Sequence, residues 1–283
     1  MNYSPSAIAA NELIIDIGNM PVLVRSDSPE FMRMLEGRYA GFLSPRKSPG
    51  PENGEGLGTL PLFEFDMELV PPGKITDADD VSVRCDAGRW LIERGDLRAE
   101  FDPQARRGRI RQSANPYSID SALRILHSLV LAREGGMLVH AASAVRNGKA
   151  FLFAGVSEAG KTTISRLAPP DATLLTDEIS YLRRNGYGYV AYGTPFAGEL
   201  AKVGENIQAP LAAIYLLHKG AENRIEPIDA AEAARALLQN VLFFAHDPEL
   251  VSLVFESACE LVRQVPVCRL TFFPDPRVWE LIA

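Results

Sequence analysis

A short stretch rich in small residues carries the residue types and spacing of a phosphate-binding loop. From Gly155 to Thr162 the sequence reads GVSEAGKT, which fits the pattern G-x-x-x-x-G-K-[ST]. Glycines let the backbone curl so that successive N–H groups point at phosphate oxygens. In such loops the lysine reaches the β- and γ-phosphates and the hydroxyl ligates Mg²⁺, so we expect these roles for Lys161 and Thr162.

The expected nucleotide site includes the whole loop and the first turn after it. A loop that grips phosphate with its backbone leaves the intervening side chains free to face solvent. We therefore expect Glu158 to point outward, where its charge does not repel the nucleotide. The predicted nucleotide-binding residues are Gly155, Val156, Ser157, Glu158, Ala159, Gly160, Lys161, Thr162 and Thr163.

Acidic residues follow the loop at positions suited to metal binding and proton transfer. Asp177 and Glu178 end the apolar run ATLLTDE, and only a helix and a return to a strand beside the loop strand fit between Lys161 and this pair. An acid beside a phosphate loop typically holds Mg²⁺, and a second one can accept a proton from an attacking hydroxyl or water. The alternative is a solvated acid pair. We predict a metal site formed by Thr162, Asp177 and Glu199, although a solvated turn acid also explains Glu199.

One histidine lies in the apolar run that precedes the loop. His140 belongs to MLVHAASAVR, which an Asn-Gly turn signal joins to the strand leading into the loop. A histidine in an apolar strand is usually structural, whereas proximity to a phosphate loop favours a role in catalysis. The sequence leaves both interpretations open. The candidate catalytic residues are therefore His140, Lys161, Asp177 and Glu178.

The elements that must position these residues alternate between strands and helices after residue 114. The run AFLFAG enters the loop as a strand, and TTISRLA leaves it as a short helix that Pro169 and Pro170 end. Helical periodicity marks SIDSALRILHSLVLAREGG, with Ser118 as its expected cap, and two later segments, DAAEAARALLQNVLFF and PELVSLVFESACELVRQ. We predict an α/β P-loop domain over residues 115–283 and a smaller, mostly β region over residues 1–114.

Composition and charge argue against several classes of protein. The 283 residues carry a net charge of -7, which argues against general binding of nucleic acid. No apolar run approaches the roughly 18 residues of a membrane helix, and the first residues do not resemble a signal peptide, so no membrane association is expected. Three scattered cysteines fit neither a disulfide framework nor a zinc site, which predicts a reduced, cytoplasmic protein. Assembly into a homo-oligomer stays open.

The segment LVHAASAVRNGKAFLFAGVSEAGKTT, followed by LLTDEIS, resembles the catalytic domain of HPr kinase/phosphorylase-like proteins. These proteins are related in fold to phosphoenolpyruvate carboxykinases. The resemblance covers residues 137–199, with weaker similarity from there to the end of the sequence, and implies an α/β P-loop core of that type, with ATP and Mg²⁺ bound. It also implies that His140 is the active-site histidine, that Glu178 activates the acceptor hydroxyl beside its acidic neighbour Asp177, and that Glu199 is a distal metal ligand.

Two positions depart from the pattern of that family. Glu178 stands where the family has a second aspartate, and Glu158 stands where its loop has a glycine. The resemblance implies a Mg²⁺-dependent phosphotransferase that phosphorylates a hydroxyl of a peptide or protein. The residues themselves also suit an NTPase that activates water, or a non-catalytic sensor in which a bound nucleotide orders a partner-binding surface.

Overall fold

The chain divides into two compact units, residues 1–122 and 123–283. The computed structural model describes residues 11–44, 62–72 and 81–282. The sequence predicted a boundary after residue 114, which lies just before a helix that begins at Pro116, whereas the division into units falls inside that helix.

Within the described residues, the first unit is built on one mixed sheet of seven strands. They are β1 (Asn11–Ile17), β2 (Met20–Ser26), β3 (Phe63–Leu69), β4 (Ser82–Asp86), β5 (Arg89–Arg94), β6 (Leu97–Asp102) and β7 (Arg107–Gln112). In space they follow the order β1-β2-β3-β7-β6-β5-β4, with β2, β3 and β7 parallel and the other neighbours antiparallel. Side chains alternate between faces, so the exposed Arg109 and Arg111 flank the buried Ile110 in β7.

Helix α1 (Pro29–Arg38) begins after a capping serine, whereas α2 (Pro116–Arg133) does not begin where the sequence predicted. Ser28 caps α1 by accepting a hydrogen bond from a first-turn N–H group. The expected cap of α2, Ser118, lies inside the helix, is buried, and donates its hydroxyl hydrogen to Asp96 at 2.8 Å. The side chain of Asn115 instead accepts a hydrogen bond from the first turn of α2.

The second unit has a sheet with helices on both of its faces. Its strands are β8 (Met137–Arg146), β9 (Lys149–Ala154), β10 (Thr173–Thr176), β11 (Ile179–Asn185), β12 (Gly188–Tyr192), β13 (Gln208–Lys219), β14 (Arg224–Pro227) and β15 (Val267–Phe272). Its further helices are α3 (Lys161–Arg166), α4 (Ala230–Leu238), α5 (Pro248–Gln264) and a 3₁₀ helix (Pro276–Leu281). No helix in the described parts of the chain is long and apolar enough to cross a membrane. The unit mixes α and β structure, and the P-loop core stays a prediction.

Five strands of the second unit pair in a closed cycle. β8 pairs with β11, β11 with β12, β12 with β13, β13 with β9, and β9 again with β8. Only β9 and β13 are parallel in this cycle, and β15 extends the sheet parallel to β13. The predicted hairpin between β8 and β9 is confirmed, because Asn147 and Gly148 both have the positive φ that a tight two-residue turn requires.

Strand β9, which leads into the loop, is packed from both faces. Leu152 faces a cluster that includes Leu237 of α4 and Leu261 of α5. Phe153 faces the other cluster, where its ring centroid lies 5.3 Å from that of Trp279. Alternate side chains of a strand point to opposite faces, so an unbroken apolar run is what a strand covered on both sides needs.

Helix α4 is shorter than the sequence predicted. The helical pattern continued to Phe244, but α4 ends at Leu238 because the chain then pairs with β8. The N–H group of His140 donates to the carbonyl of Asn240 at 2.7 Å, and Val241 forms an isolated bridge with Val139. This pairing adds backbone support to β8 next to His140.

Candidate functional site

The segment that fits the phosphate-loop pattern joins β9 to α3. Two of its residues have left-handed backbone, Glu158 with φ of 63° and Gly160 with φ of 112°. A Cβ atom at Gly160 would lie 2.6 Å from the ring of Phe272, and one at Gly155 would lie 2.7 Å from the Cβ atom of Ala159. Close packing therefore excludes side chains at both glycines, and the φ of Gly160 disfavours one as well. The side chain of Glu158 is exposed.

Lys161 begins α3 and is only 8% exposed. Its ammonium group donates to the carbonyl oxygens of Gly155 at 2.9 Å and Val156 at 3.4 Å, which closes the loop around the lysine. Burial lowers the pKa of Lys161, and the negative charges of Glu178 and Glu199 oppose that shift. The cation is thus enclosed by the loop and is attracted by two carboxylates.

Strand β8 brings the loop and the acidic residues to one edge of the sheet. It is antiparallel to β9 on one side and to β10 on the other, with Ala141 opposite Ala154 and Ser143 opposite Thr176. β9 and β10 therefore run in the same direction and end at the same edge. The sequence predicted that the strand of the acids lies next to the loop strand, and this was wrong because β8 lies between the two.

His140 and Glu178 form a close pair at this edge. His140 is opposite Ile179 where β8 pairs with β11, and its Nε2 atom lies 3.7 Å from Oε1 of Glu178. The interaction with His140 lowers the pKa of Glu178, burial opposes the shift, and the charges of Arg124 and Lys161 add to it. Glu178 is therefore ionised at neutral pH, beside the imidazole of His140.

Asp177 connects the acidic pair to a neighbouring turn. Its buried carboxylate accepts hydrogen bonds from the N–H groups of Gly198 and Leu200, each at 2.9 Å. These bonds hold the turn that carries Glu199, and Oε2 of Glu199 accepts a hydrogen bond from the Thr162 hydroxyl at 3.1 Å. The carboxylate of Asp177 thus positions Glu199 over the first turn of α3.

The residues predicted to do chemistry meet in one cavity of about 750 Å³. Its lining consists of His140, Ser157, Glu158, Gly160, Lys161, Thr162, Thr163, Asp177, Glu178, Gly198, Glu199 and Lys219. The cavity therefore brings together all four candidate catalytic residues and the three candidate metal ligands. Three predicted nucleotide-binding residues, Gly155, Val156 and Ala159, do not line it.

The donor set at this edge is of the kind that Mg²⁺ prefers. Within the described residues, no group of three or more His, Cys, Asp or Glu side chains is arranged to hold a metal ion. Mg²⁺ usually keeps several waters and needs only one or two carboxylates together with substrate phosphates. Thr162 and Glu199 offer oxygen atoms, and the Asp177 oxygens keep lone pairs beyond those that accept N–H groups. The metal site stays a prediction.

Sequence reasoning missed two charged residues near the site. Lys219 ends β13 and lines the cavity. Arg124 of α2 lies 4.8 Å above the ring of Phe196 and contributes to the lowered pKa of Glu178. No sequence signal marked either residue, because a lysine after an apolar strand and an arginine in a helix are common. Only the pairing of β13 with β9 shows that Lys219 lies beside the loop.

Comparison with known proteins corrects the family expected from the sequence. The search of curated proteins finds no match. A family model described as SynChlorMet cassette protein ScmC matches residues 112–283. The expectation that the chain belongs to the HPr kinase family was therefore wrong. The resemblance rested on a phosphate-loop pattern, two acids at a strand end and a histidine. Such short features often match unrelated proteins by chance. The match covers more than half of the chain, which belongs to the ScmC family.

Proposed function

We propose that this protein binds ATP, or another nucleoside triphosphate, with Mg²⁺ and transfers the γ-phosphoryl group to a hydroxyl. One observation carries the proposal: a glycine-constrained loop, an enclosed lysine and an ionised carboxylate beside a histidine all line the same cavity. Phosphoryl transfer needs mainly positioning and stabilisation of negative charge, and this group of residues offers both.

Each charged residue has a separate task in the proposed reaction. Lys161 neutralises charge on the β- and γ-phosphates once its ammonium leaves the loop carbonyls for phosphate oxygens. The acceptor oxygen forms a bond to the γ-phosphorus while the bond to the β–γ bridging oxygen breaks, and the nucleoside diphosphate leaves. Glu178 accepts the hydroxyl proton. Because its pKa is lowered, Glu178 is ionised and can accept this proton, and His140 lies beside it.

Thr162, Glu199 and Asp177 are the residues that would hold Mg²⁺ in this proposal. The Thr162 hydroxyl and the Glu199 carboxylate are already hydrogen-bonded to each other, so the two donors lie within reach of one ion. When bound, the ion would supply positive charge to the phosphate oxygens. Asp177 mainly keeps Glu199 in place through the turn that it holds.

We further propose a hydroxyl of a peptide or protein as acceptor, in the cytoplasm. Glu178 is about one-third exposed, so the proposed base lies where an extended chain can approach from solvent. All three cysteines are free, and the thiol of Cys85 is exposed, which suits a reducing compartment. The alternative acceptor is water, which would make the protein an NTPase. The exposure of the His140–Glu178 pair to solvent also supports this second candidate.

Two successive measurements test the proposal: nucleotide binding, and then the molecule on which the γ-phosphate ends. ATP, ADP, AMP and GTP are titrated by calorimetry with and without Mg²⁺, and the fate of γ-labelled phosphate is then followed. We expect ATP binding that depends on Mg²⁺, followed by label on a peptide or protein acceptor. Label released as inorganic phosphate without an acceptor would identify an NTPase. Binding without turnover would identify a sensor, and no nucleotide binding would refute the whole proposal.

A further inference from the structure

The cavity contains a second lysine that the phosphate-loop pattern does not include. Lys219 is the last residue of β13, is exposed, and lines the cavity together with loop residues. The described residues that line the cavity include two lysines, Lys161 and Lys219, and no arginine.

Strand pairing places Lys219 between the two ends of the loop. β13 runs parallel to β9, with Leu216 opposite the last residue of β9, and a Cβ atom at Gly155 would lie 3.5 Å from Cβ of Leu217. On its other side β13 pairs with β15, where Lys219 lies opposite Phe272. The ring of Phe272 packs against Gly160 at the other end of the loop. One neighbour of Lys219 thus contacts the start of the loop and another contacts its end.

The two lysines differ in what their ammonium groups already bind. Lys161 is enclosed and donates to two loop carbonyls. For Lys219 the described residues provide neither a hydrogen bond nor an ion pair to the ammonium group. A long, flexible side chain of this kind can reach a ligand without first breaking an internal contact.

The cavity is rich in negative charge, so a bound triphosphate would need a second cation in addition to Lys161. Four acids line it, and in the absence of ligand they outnumber its two lysines. A nucleoside triphosphate adds further negative charge, which Mg²⁺ and Lys161 offset only in part. β8 carries His140 on one side of the loop strand and β13 carries Lys219 on the other, so a cation at Lys219 acts from the side opposite the His140–Glu178 pair.

We propose that Lys219 is a second phosphate-binding residue, which contacts the β- or γ-phosphate from the β13 side of the loop. This inference rests on the proposed function, since it requires a polyphosphate in the cavity. The lysine favours ligands with more phosphates, because its attraction acts on the phosphate chain and not on the nucleoside.

The test compares Lys219→Met with Lys219→Arg and with a control, Lys149→Met. Methionine keeps the apolar stem and removes the charge, whereas arginine keeps the charge. Lys149 is an exposed lysine at the opposite end of β9 and does not line the cavity. Calorimetric titration with ATP, ADP and AMP gives the affinities, and thermal melts check the fold.

Removing the charge should weaken ATP binding by about 10-fold, as expected for one charge-assisted hydrogen bond. We expect a smaller loss for ADP, no loss for AMP, near-normal ATP binding by Lys219→Arg, and no effect of Lys149→Met. Wild-type protein that binds ATP together with a Lys219→Met variant of equal affinity would overturn this inference and leave the proposed function intact. Equal losses for AMP and ATP would also overturn it. Wild-type protein that binds no nucleotide would instead refute the proposed function.

Discussion

One face of the first sheet and the cavity of the second unit are both rich in charged side chains, but these side chains bind different kinds of partner. On the sheet face, arginines pair with acids on neighbouring strands, for example Arg111 with Glu68 at 3.0 Å and Arg107 with Glu64 at 3.6 Å. In the cavity, Asp177 binds backbone N–H groups and Lys161 binds backbone carbonyls. The arginines and acids on the sheet face satisfy each other's charge, whereas Asp177 and Lys161 are held by backbone groups and keep the capacity to bind a ligand.

The largest expected effect concerns Glu178. Glu178→Gln keeps the shape of the side chain but cannot accept a proton, so turnover should fall by about 10²–10⁴-fold while ATP still binds. Phosphate transfer and release are measured under single-turnover conditions, with affinity from calorimetry. The matched change on the sheet face, Glu68→Gln, should leave turnover unchanged. If Glu178→Gln turned over like wild type, the carboxylate would not be the base.

The next largest effect concerns the enclosed cation. Lys161→Met keeps most of the buried stem and removes charge-assisted hydrogen bonds worth about 1.5–3 kcal/mol, so ATP affinity should fall by roughly 10–150-fold. Titration of ATP in the presence of Mg²⁺ measures the loss, and circular dichroism checks the fold. Arg107→Met on the sheet face serves as the control. Equal ATP affinity of the Lys161 variant and wild type would contradict the assignment of the loop.

A comparison of two glycine substitutions distinguishes the energetic cost of backbone strain from that of a close steric contact. Gly160 and Gly88 both have φ in the left-handed region, but a Cβ atom at Gly88 would meet nothing within 4 Å, whereas one at Gly160 would strike the ring of Phe272. Gly88→Ala should cost about 1 kcal/mol of unfolding free energy, and Gly160→Ala about 2–3 kcal/mol. Chemical denaturation measures both. Equal costs would show that the packing around the loop adapts easily.

The buried His127 should make the stability of the fold depend on pH. Burial lowers the pKa of His127 to about 3, and the nearby charge of Arg183 adds to the effect. The unfolded chain takes up this proton near pH 6.5, so stability is complete above that pH and falls by about 1.4 kcal/mol per pH unit below it. His127→Phe should remove this slope between about pH 6 and 5, as measured by denaturation. An unchanged slope would exclude His127 as its source, and the exposed His246→Gln is the control.

The smallest effect belongs to the sheet face itself. Arg111 and Glu68 are directly opposite on neighbouring strands and are each about half exposed, so their coupling should amount to about 0.2–1 kcal/mol. A double-mutant cycle with Arg111→Ala and Glu68→Ala measures this energy at low and high salt. Coupling that exceeds this range or resists salt would mean that these exposed charges are held more firmly than surface pairs usually are.

Local signals in the sequence predicted the local structure. Asn147 and Gly148 gave the turn, and α5 spans the predicted helical segment with Asp247 as its cap. The glycine loop was correctly expected between a strand and a short helix. Each of these features depends on a few neighbouring residues, whose backbone preferences are readable from their types.

Features that depend on distant residues were missed or wrong. Ser118 has the type of a helix cap, but its hydroxyl binds Asp96 of the first unit. The helical pattern of α4 continues beyond Leu238, yet pairing with β8 ends the helix there. Lys219 reaches the cavity only because β13 pairs with the loop strand. The types of the site residues were therefore readable from the sequence, whereas the strand order that assembles them was not.

The central position of β8 limits how the chain can change in length. Ala141 and Ser143 fix where β9 and β10 end, and His140 lies just beyond them on the same strand. An inserted residue in this stretch would move the loop relative to the acids by about 3.3 Å and turn His140 to the other face of the sheet. Substitutions there leave the alignment intact, whereas a gain or loss of one residue dismantles the site. Length can vary instead in turns such as Asn147–Gly148, where it leaves this alignment unchanged.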